Sequence, residues 1–242
     1  VVGELLHMLS KQLPVRLAMV KSHGNSIFSR CDAEIMVPIG KRAEAQKILD
    51  QHFSVLKNRY VLTDPELRCV IESPETCVDA LSEADSRRVI GLLFLLPTGI
   101  RKCDAEDPSI VLGSGSVMSA ALTNGELSYE YAVRAVENDA RDQYAEMCTE
   151  LLRLLSFDWT AGKCYGGWPM RHDSEIVKLF DRKHEEVFGY PAGHRFVHGG
   201  IEVGYIVTAI PDMDAIAINL PMANAHTTNE LIYIDQVQDF WT

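Results

Sequence analysis

The sequence predicts a mixed α/β fold: two β-α-β-β-α-β units in tandem, the first without its opening strand, followed by a partial α/β segment. Two observations predict it. Helix-period and strand-period apolar patterns alternate in an order that repeats. After Asp173 the strands instead become short, continuous apolar runs between helices, the mark of a parallel sheet covered on both faces.

Residues 3–13 read as a helix with Leu5, Leu6 and Leu9 on one face. Val15, Leu17 and Met19 alternate as a strand, and Cys31, Ala33, Ile35 and Val37 as another. Residues 41–56 are helical, their stripe formed by Ala45, Ile48, Leu49, Phe53 and Leu56, and 67–71 is predicted as a strand. The order is then met again. Ser82 to Asp85 forms a capping box before Val89, Leu92, Leu93 and Leu96, and Pro97 with Gly99 stops that helix. Strands at 116–123 and 126–136 flank Asn124-Gly125, a strong hairpin signal. A helix over 139–155 and an extended piece at 163–167 close the second unit. With 67–71 placed in front, this is the ferredoxin-like split unit. The "LGSGS" of 112–116 lacks the Lys of a phosphate loop and reads as linker, and "CYGGWPM" as a tight corner. In the tail, Asp173 is expected to cap a helix with Ile176, Val177, Phe180, Val187 and Phe188 inward. Strands are predicted at 194–197 and 215–218 around a helical turn at 201–205.

Composition bounds the function. Of 242 residues, 47% are hydrophobic and 24% charged, and the net charge is −11. That acidity argues against nucleic-acid or anionic-membrane partners. No apolar run approaches the length of a bilayer span. Six scattered cysteines without framework spacing read as thiols of a reducing compartment, so a cytoplasmic location is expected. Val1 opens directly into a helical pattern, from which the natural protein is expected to begin upstream.

Three places could carry chemistry. His226 follows a buried strand, at the edge where α/β sheets collect ligands, and reads either as a surface-loop residue or as part of a site. One histidine cannot hold a catalytic zinc; the internal candidates to join it are His198 and Glu202, whose spacing is not that of HExxH. Arg134 shares a strand face with Ser128 and Glu130. It is either a partner for Glu130 or a bidentate grip for a carboxylate. Asn25 reads most simply as a loop residue between two strands.

Several stretches together resemble the aminoacyl-histidine (Xaa-His) dipeptidases, a bacterial branch of the di-zinc metallopeptidases. They are Tyr165-Gly-Gly-Trp168, His198-Gly-Gly-Ile-Glu-Val-Gly204, Asp212-Met-Asp-Ala-Ile216 and Ala225-His-Thr-Thr-Asn-Glu230. They match the family's Y-x-G-W, H-A-G-L-E-C-G, D-M-x-S-x-G-P and G-x-H-S-P-D-E. Upstream, "LLFLLPTGI", "YAVRA" and "VRLAMVKSHGNSIF" follow the family in order. In that family a lid of two ferredoxin-like units is inserted into a zinc-binding α/β domain. The resemblance therefore implies a lid over 1–167 (first unit 1–72, second 66–167) and the C-terminal part of a catalytic domain over 168–242. It implies His226 as a zinc ligand, and Arg134 and Asn25 as lid residues gripping the substrate carboxylate. His198, Gly199, Gly200 and Glu202 would line the site. The remaining ligands of two zinc ions and the general base would lie upstream, so this chain alone is expected to be inactive. The implied partners are a small peptide substrate and a second copy in a homodimer. The matched loop carries Thr227-Thr228-Asn229 for the family's Ser-Pro-Asp, which leaves a second reading open: a non-catalytic member whose lid is an interaction or dimerisation module.

Overall fold

The first helix, α1 (Val2–Ser10), buries Leu5, Leu6 and Leu9, the three leucines that recur at helical spacing. In this computed structural model, residues 1–24, 28, 30–73, 79–199, 201–210, 212–225 and 229–241 are described. After α1 come β1 (Arg16–His23), β2 (Arg30–Met36), α2 (Arg42–Arg59), α3 (Glu83–Leu95), β3 (Gly99–Cys103), β4 (Val111–Thr123), β5 (Glu126–Ala135) and α4 (Asn138–Leu154). The tail holds α5 (Glu175–Phe188), α6 (Glu202–Ala209), β6 (Met222–Ala223), β7 (Leu231–Ile232) and a short helix, α7 (Val237–Phe240). The fold is the mixed α/β one expected, its sheets antiparallel. Among the described residues no helix is long and apolar enough to cross a membrane.

Two compact units divide the chain. The first comprises Val1–Pro97, Val117–Tyr131 and Cys148–Asp158. Here β1 pairs with β2, Leu17 facing Ile35, and with β4, Val20 facing Leu122. Leu6, Leu9, Leu13, Val15, Leu17 and Val20 pack with Ala45, Ile48, Val89, Ile90, Ala120 and Leu122. Helix α3 starts as its sequence dictates, Ser82 Oγ accepting the Asp85 N–H at 3.0 Å. The helix then locks onto β1, where Leu17 N–H donates to the buried Ser86 Oγ at 2.8 Å. Arg88 donates to the carbonyls of Leu155 and Ser156 and lies over the Phe157 ring, which ties down the end of α4. Asn124 and Gly125 both take positive φ, as a two-residue hairpin turn between right-twisted strands requires.

The second unit comprises Thr98–Ser116, Ala132–Met147 and Trp159–Thr242. Four strand expectations fail: residues 67–71 in the first unit and 163–167, 194–197 and 215–218 in the second carry no ladder. These are runs of four or five residues, too short to hold an extended shape without a neighbouring strand. The tail's pairing falls instead on β6 and β7, Met222 opposite Ile232, and it is antiparallel where a parallel sheet was expected. The supposed linker at 112–116 is also strand. It runs inside β4 and pairs with β3, a strand the sequence pattern did not show, Gly99 facing Gly115 and Ile100 facing Ser114. Its glycine is used for space: a Cβ on Gly113 would stand 2.9 Å from the Tyr144 ring.

Candidate functional site

Arg134 lies near the end of β5, half-buried. Among the described residues its guanidinium has no carboxylate partner, so the pairing with Glu130 considered from the sequence is not made. A half-buried arginine without a counter-ion keeps five donors ready for an anion.

His198 stands in the same neighbourhood. Its Nε2 is 2.7 Å from the Ser114 hydroxyl on β4. Burial first, and then the charge of Arg134, push the imidazole below its ordinary value. At neutral pH the ring is therefore uncharged, with one N–H donor and one lone pair. A cation near a neutral imidazole can bind a carboxylate through charge and directed hydrogen bonds together.

Helix α6, which follows His198, packs backbone against backbone on the Tyr165–Trp168 stretch. A Cβ on Gly204, in α6, would stand 2.3 Å from the Gly166 carbonyl oxygen, and one on Gly166 would stand 2.5 Å from that of Gly204. Only glycine allows the two backbones this approach. The Tyr165–Trp168 stretch is thus the tight corner its composition predicts. Gly167 N–H donates to Asn138 Oδ1 at 2.7 Å, and Arg141 donates to the Tyr165 carbonyl at 2.6 Å. The Tyr165 and Tyr205 rings meet at 5.0 Å between centroids. Corner, α4 and α6 are so held together.

Glu202 opens α6 and is exposed, where its charge suits the helix N-terminus. Gly199 is less constrained than its neighbours, since a Cβ there would make ordinary contact with Val197 at 3.5 Å. His226, Asn25 and Gly200 lie outside the described residues. Among the described residues no group of three or more His, Cys, Asp and Glu side chains could hold a metal ion, so His198 and Glu202 do not gather one around themselves.

Two contributors escaped the sequence. Ser114 is one. The other is Asp214, whose carboxylate accepts the N–H groups of Glu175 and Ile176 at 2.7 and 3.0 Å and the Ser174 hydroxyl at 2.7 Å. The Ile176 N–H, the Ser174 hydroxyl and the Glu175 N–H hold Asp214 below the usual carboxylate range. It caps α5 from about forty residues away. Ser174, not Asp173, is the local cap. The only signal for Asp214 was its place in the Asp212-Met-Asp stretch.

No family model matches the chain. It is 22% identical, over 218 residues, to the cytosol non-specific dipeptidase of Escherichia coli; the match covers 90% of this chain and 45% of that protein. The crystal structure of the aminoacylhistidine dipeptidase from Vibrio alginolyticus has the same fold, with a TM-score of 0.85 at 21% identity, over 99% of this chain and 49% of that one. The chain spans about half the length of the curated relative it matches. The resemblance to dipeptidases read from the residues thus holds in sequence and in fold.

Proposed function

We propose that this chain is the substrate-gripping part of a zinc-dependent cytoplasmic dipeptidase that cleaves Xaa-His-type dipeptides. The observation that carries the reading is Arg134, without a carboxylate partner among the described residues, beside the neutral His198, in a chain similar in sequence and fold to two dipeptidases. Residues 1–167 would be the lid and 168–242 the C-terminal part of the catalytic domain. His226 is the zinc ligand this chain would contribute. Bound zinc supplies an activated water in such enzymes. The described residues do not by themselves form a zinc site.

What the chain does in this reading is bind and orient. The Arg134 fork donates two parallel N–H bonds to the substrate's terminal carboxylate, an interaction worth about 1.5–3 kcal/mol. His198 adds a directed hydrogen bond without a second charge. Asn25 would grip the same end, while Gly199, Gly200 and Glu202 form the wall. Holding the carboxylate fixes the distance from it to the scissile bond, which favours dipeptides over longer chains.

Expression of the whole open reading frame tests this. The full-length protein is expected to cleave Xaa-His dipeptides and to lose the activity to a zinc chelator, while residues 1–242 alone cleave none. Cleavage by residues 1–242 alone, or chelator-resistant cleavage by the whole protein, contradicts it.

A further inference from the structure

Ser114 sits in a Gly/Ser stretch that composition assigns to a linker, yet it occupies a paired position in β4, opposite Ile100. Its hydroxyl lies 2.7 Å from Nε2 of His198, a residue 84 positions away. Among the described residues this is the ring's hydrogen bond, and the backbone pairing of β4 with β3 makes no use of the Ser114 hydroxyl. A neutral imidazole carries its proton on one nitrogen, and the partner at the other nitrogen selects which. A hydroxyl can rotate to donate or to accept. Only one of the two suits a carboxylate bound at Arg134. A carboxylate held by its guanidinium offers only lone pairs, so the second ring nitrogen contributes only as an N–H. That requires the proton on Nδ1 and a lone pair on Nε2, with Ser114 donating.

We infer that Ser114 is a positioning residue: its hydroxyl donates to Nε2 of His198 and holds the ring as the Nδ1–H tautomer, so that Nδ1–H and the Arg134 guanidinium together take one carboxylate. The inference rests on the carboxylate-binding part of the proposed function and is independent of hydrolysis. Ser114 itself touches no substrate. It acts through His198, as groups behind a metal-ligating or catalytic histidine fix its ring.

The test uses imidazole nitrogen spectroscopy on the isotope-labelled 242-residue chain, with N-acetylglycine as the carboxylate probe. The native protein is expected to show a protonated Nδ1, a lone pair on Nε2, and a shift of both on titration with the probe. Ser114→Thr keeps the hydroxyl on a strand-compatible side chain and should preserve tautomer and affinity. Ser114→Val has nearly the same shape without the hydroxyl. It should mix the tautomers and weaken probe binding roughly tenfold, the share of one lost hydrogen bond to a charged group. Arg134→Gln should weaken binding while leaving the tautomer unchanged. A proton on Nε2 in the native protein overturns the inference, as does equal affinity in the Thr and Val variants, or a probe that leaves His198 unshifted. Absence of dipeptide cleavage by the full-length protein would count against the proposed function alone.

Discussion

The two compact units are held by different forces, and the contrast separates stability from chemistry. In the first, Leu9, Leu17, Leu56, Ile90, Leu92 and Leu122 are fully buried between helices and sheet. In the second, Val136 is the buried apolar side chain among the described residues, and α5 has an amphipathic stripe with no buried residue at all. Its order comes from directional contacts: Asp214 on the start of α5, Asn138 and Arg141 on the Tyr165–Trp168 corner, and glycine against glycine at 166 and 204. A hydrophobic core tolerates small displacements, because burial is non-directional. Hydrogen bonds and backbone contacts do not, and each is modest in net worth. The unit that carries Arg134 and His198 therefore gains geometric definition from contacts that add little to global stability.

The sharpest way to break this contrast is a cavity in the first unit. Leu17→Ala should cost about 2–5 kcal/mol of unfolding free energy by denaturant titration. The His198 nitrogen spectrum should stay unchanged below the transition. A shift of His198 on that substitution alone would mean that the core, not the clips, sets the site. Next comes Gly204→Ala, which forces a Cβ to within 2.3 Å of the Gly166 carbonyl. Overpacking of this kind costs about 1–3 kcal/mol. It should speed amide exchange along α6 and at the Tyr165–Trp168 corner, with the core of the first unit unaffected.

Asp214→Ala removes three hydrogen bonds from the start of α5 and should raise exchange severalfold at Glu175 and Ile176. The sign with pH follows from the depressed carboxyl. The cap's contribution is present above the unfolded carboxylate's ordinary value and lost as pH falls through the lower, folded one. Exchange at Glu175 and Ile176 that ignores acidification would contradict the cap. His198 titrates in the same direction for a different cause, burial first and the Arg134 charge second. Its neutral form is favoured by folding, so its contribution too is present above the ordinary imidazole value and fades as pH falls through the depressed one. Arg134→Gln should move its midpoint back upward in an NMR titration; a midpoint that stays put would separate the two residues. The smallest effect is expected for the exposed Arg153–Glu150 pair, 2.7 Å apart on α4, where Arg153→Ala should leave the unfolding midpoint unchanged.

Local rules made much of the first unit legible. The leucine spacing gave α1, Ser82 with Asp85 marked the start of α3, and Asn124-Gly125 marked the hairpin. What stayed hidden depends on tertiary partners rather than on local pattern. Strand β3 has no alternating apolar pattern, and the Gly/Ser composition of 112–116 disguises a strand whose small residues leave room for the Tyr144 ring. The apolar runs at 194–197 and 215–218 carried the right composition for strands but have no ladder. At the candidate site, Arg134 and His198 could be picked out as chemistry-bearing residue types. Ser114 and Asp214 could not, because each acts on a segment about forty or more residues away and resembles an ordinary loop residue in its own neighbourhood.

The proposed grip of Arg134 and His198 on a substrate's terminal carboxylate can be tested by one comparison. Full-length protein should be assayed on an Xaa-His dipeptide and on the same dipeptide with its C-terminus amidated. The native protein should strongly prefer the free carboxylate, mainly through KM, and Arg134→Gln should abolish the preference by weakening binding of the acid alone. Equal cleavage of acid and amide by the native protein, or a preference that survives Arg134→Gln, would contradict it.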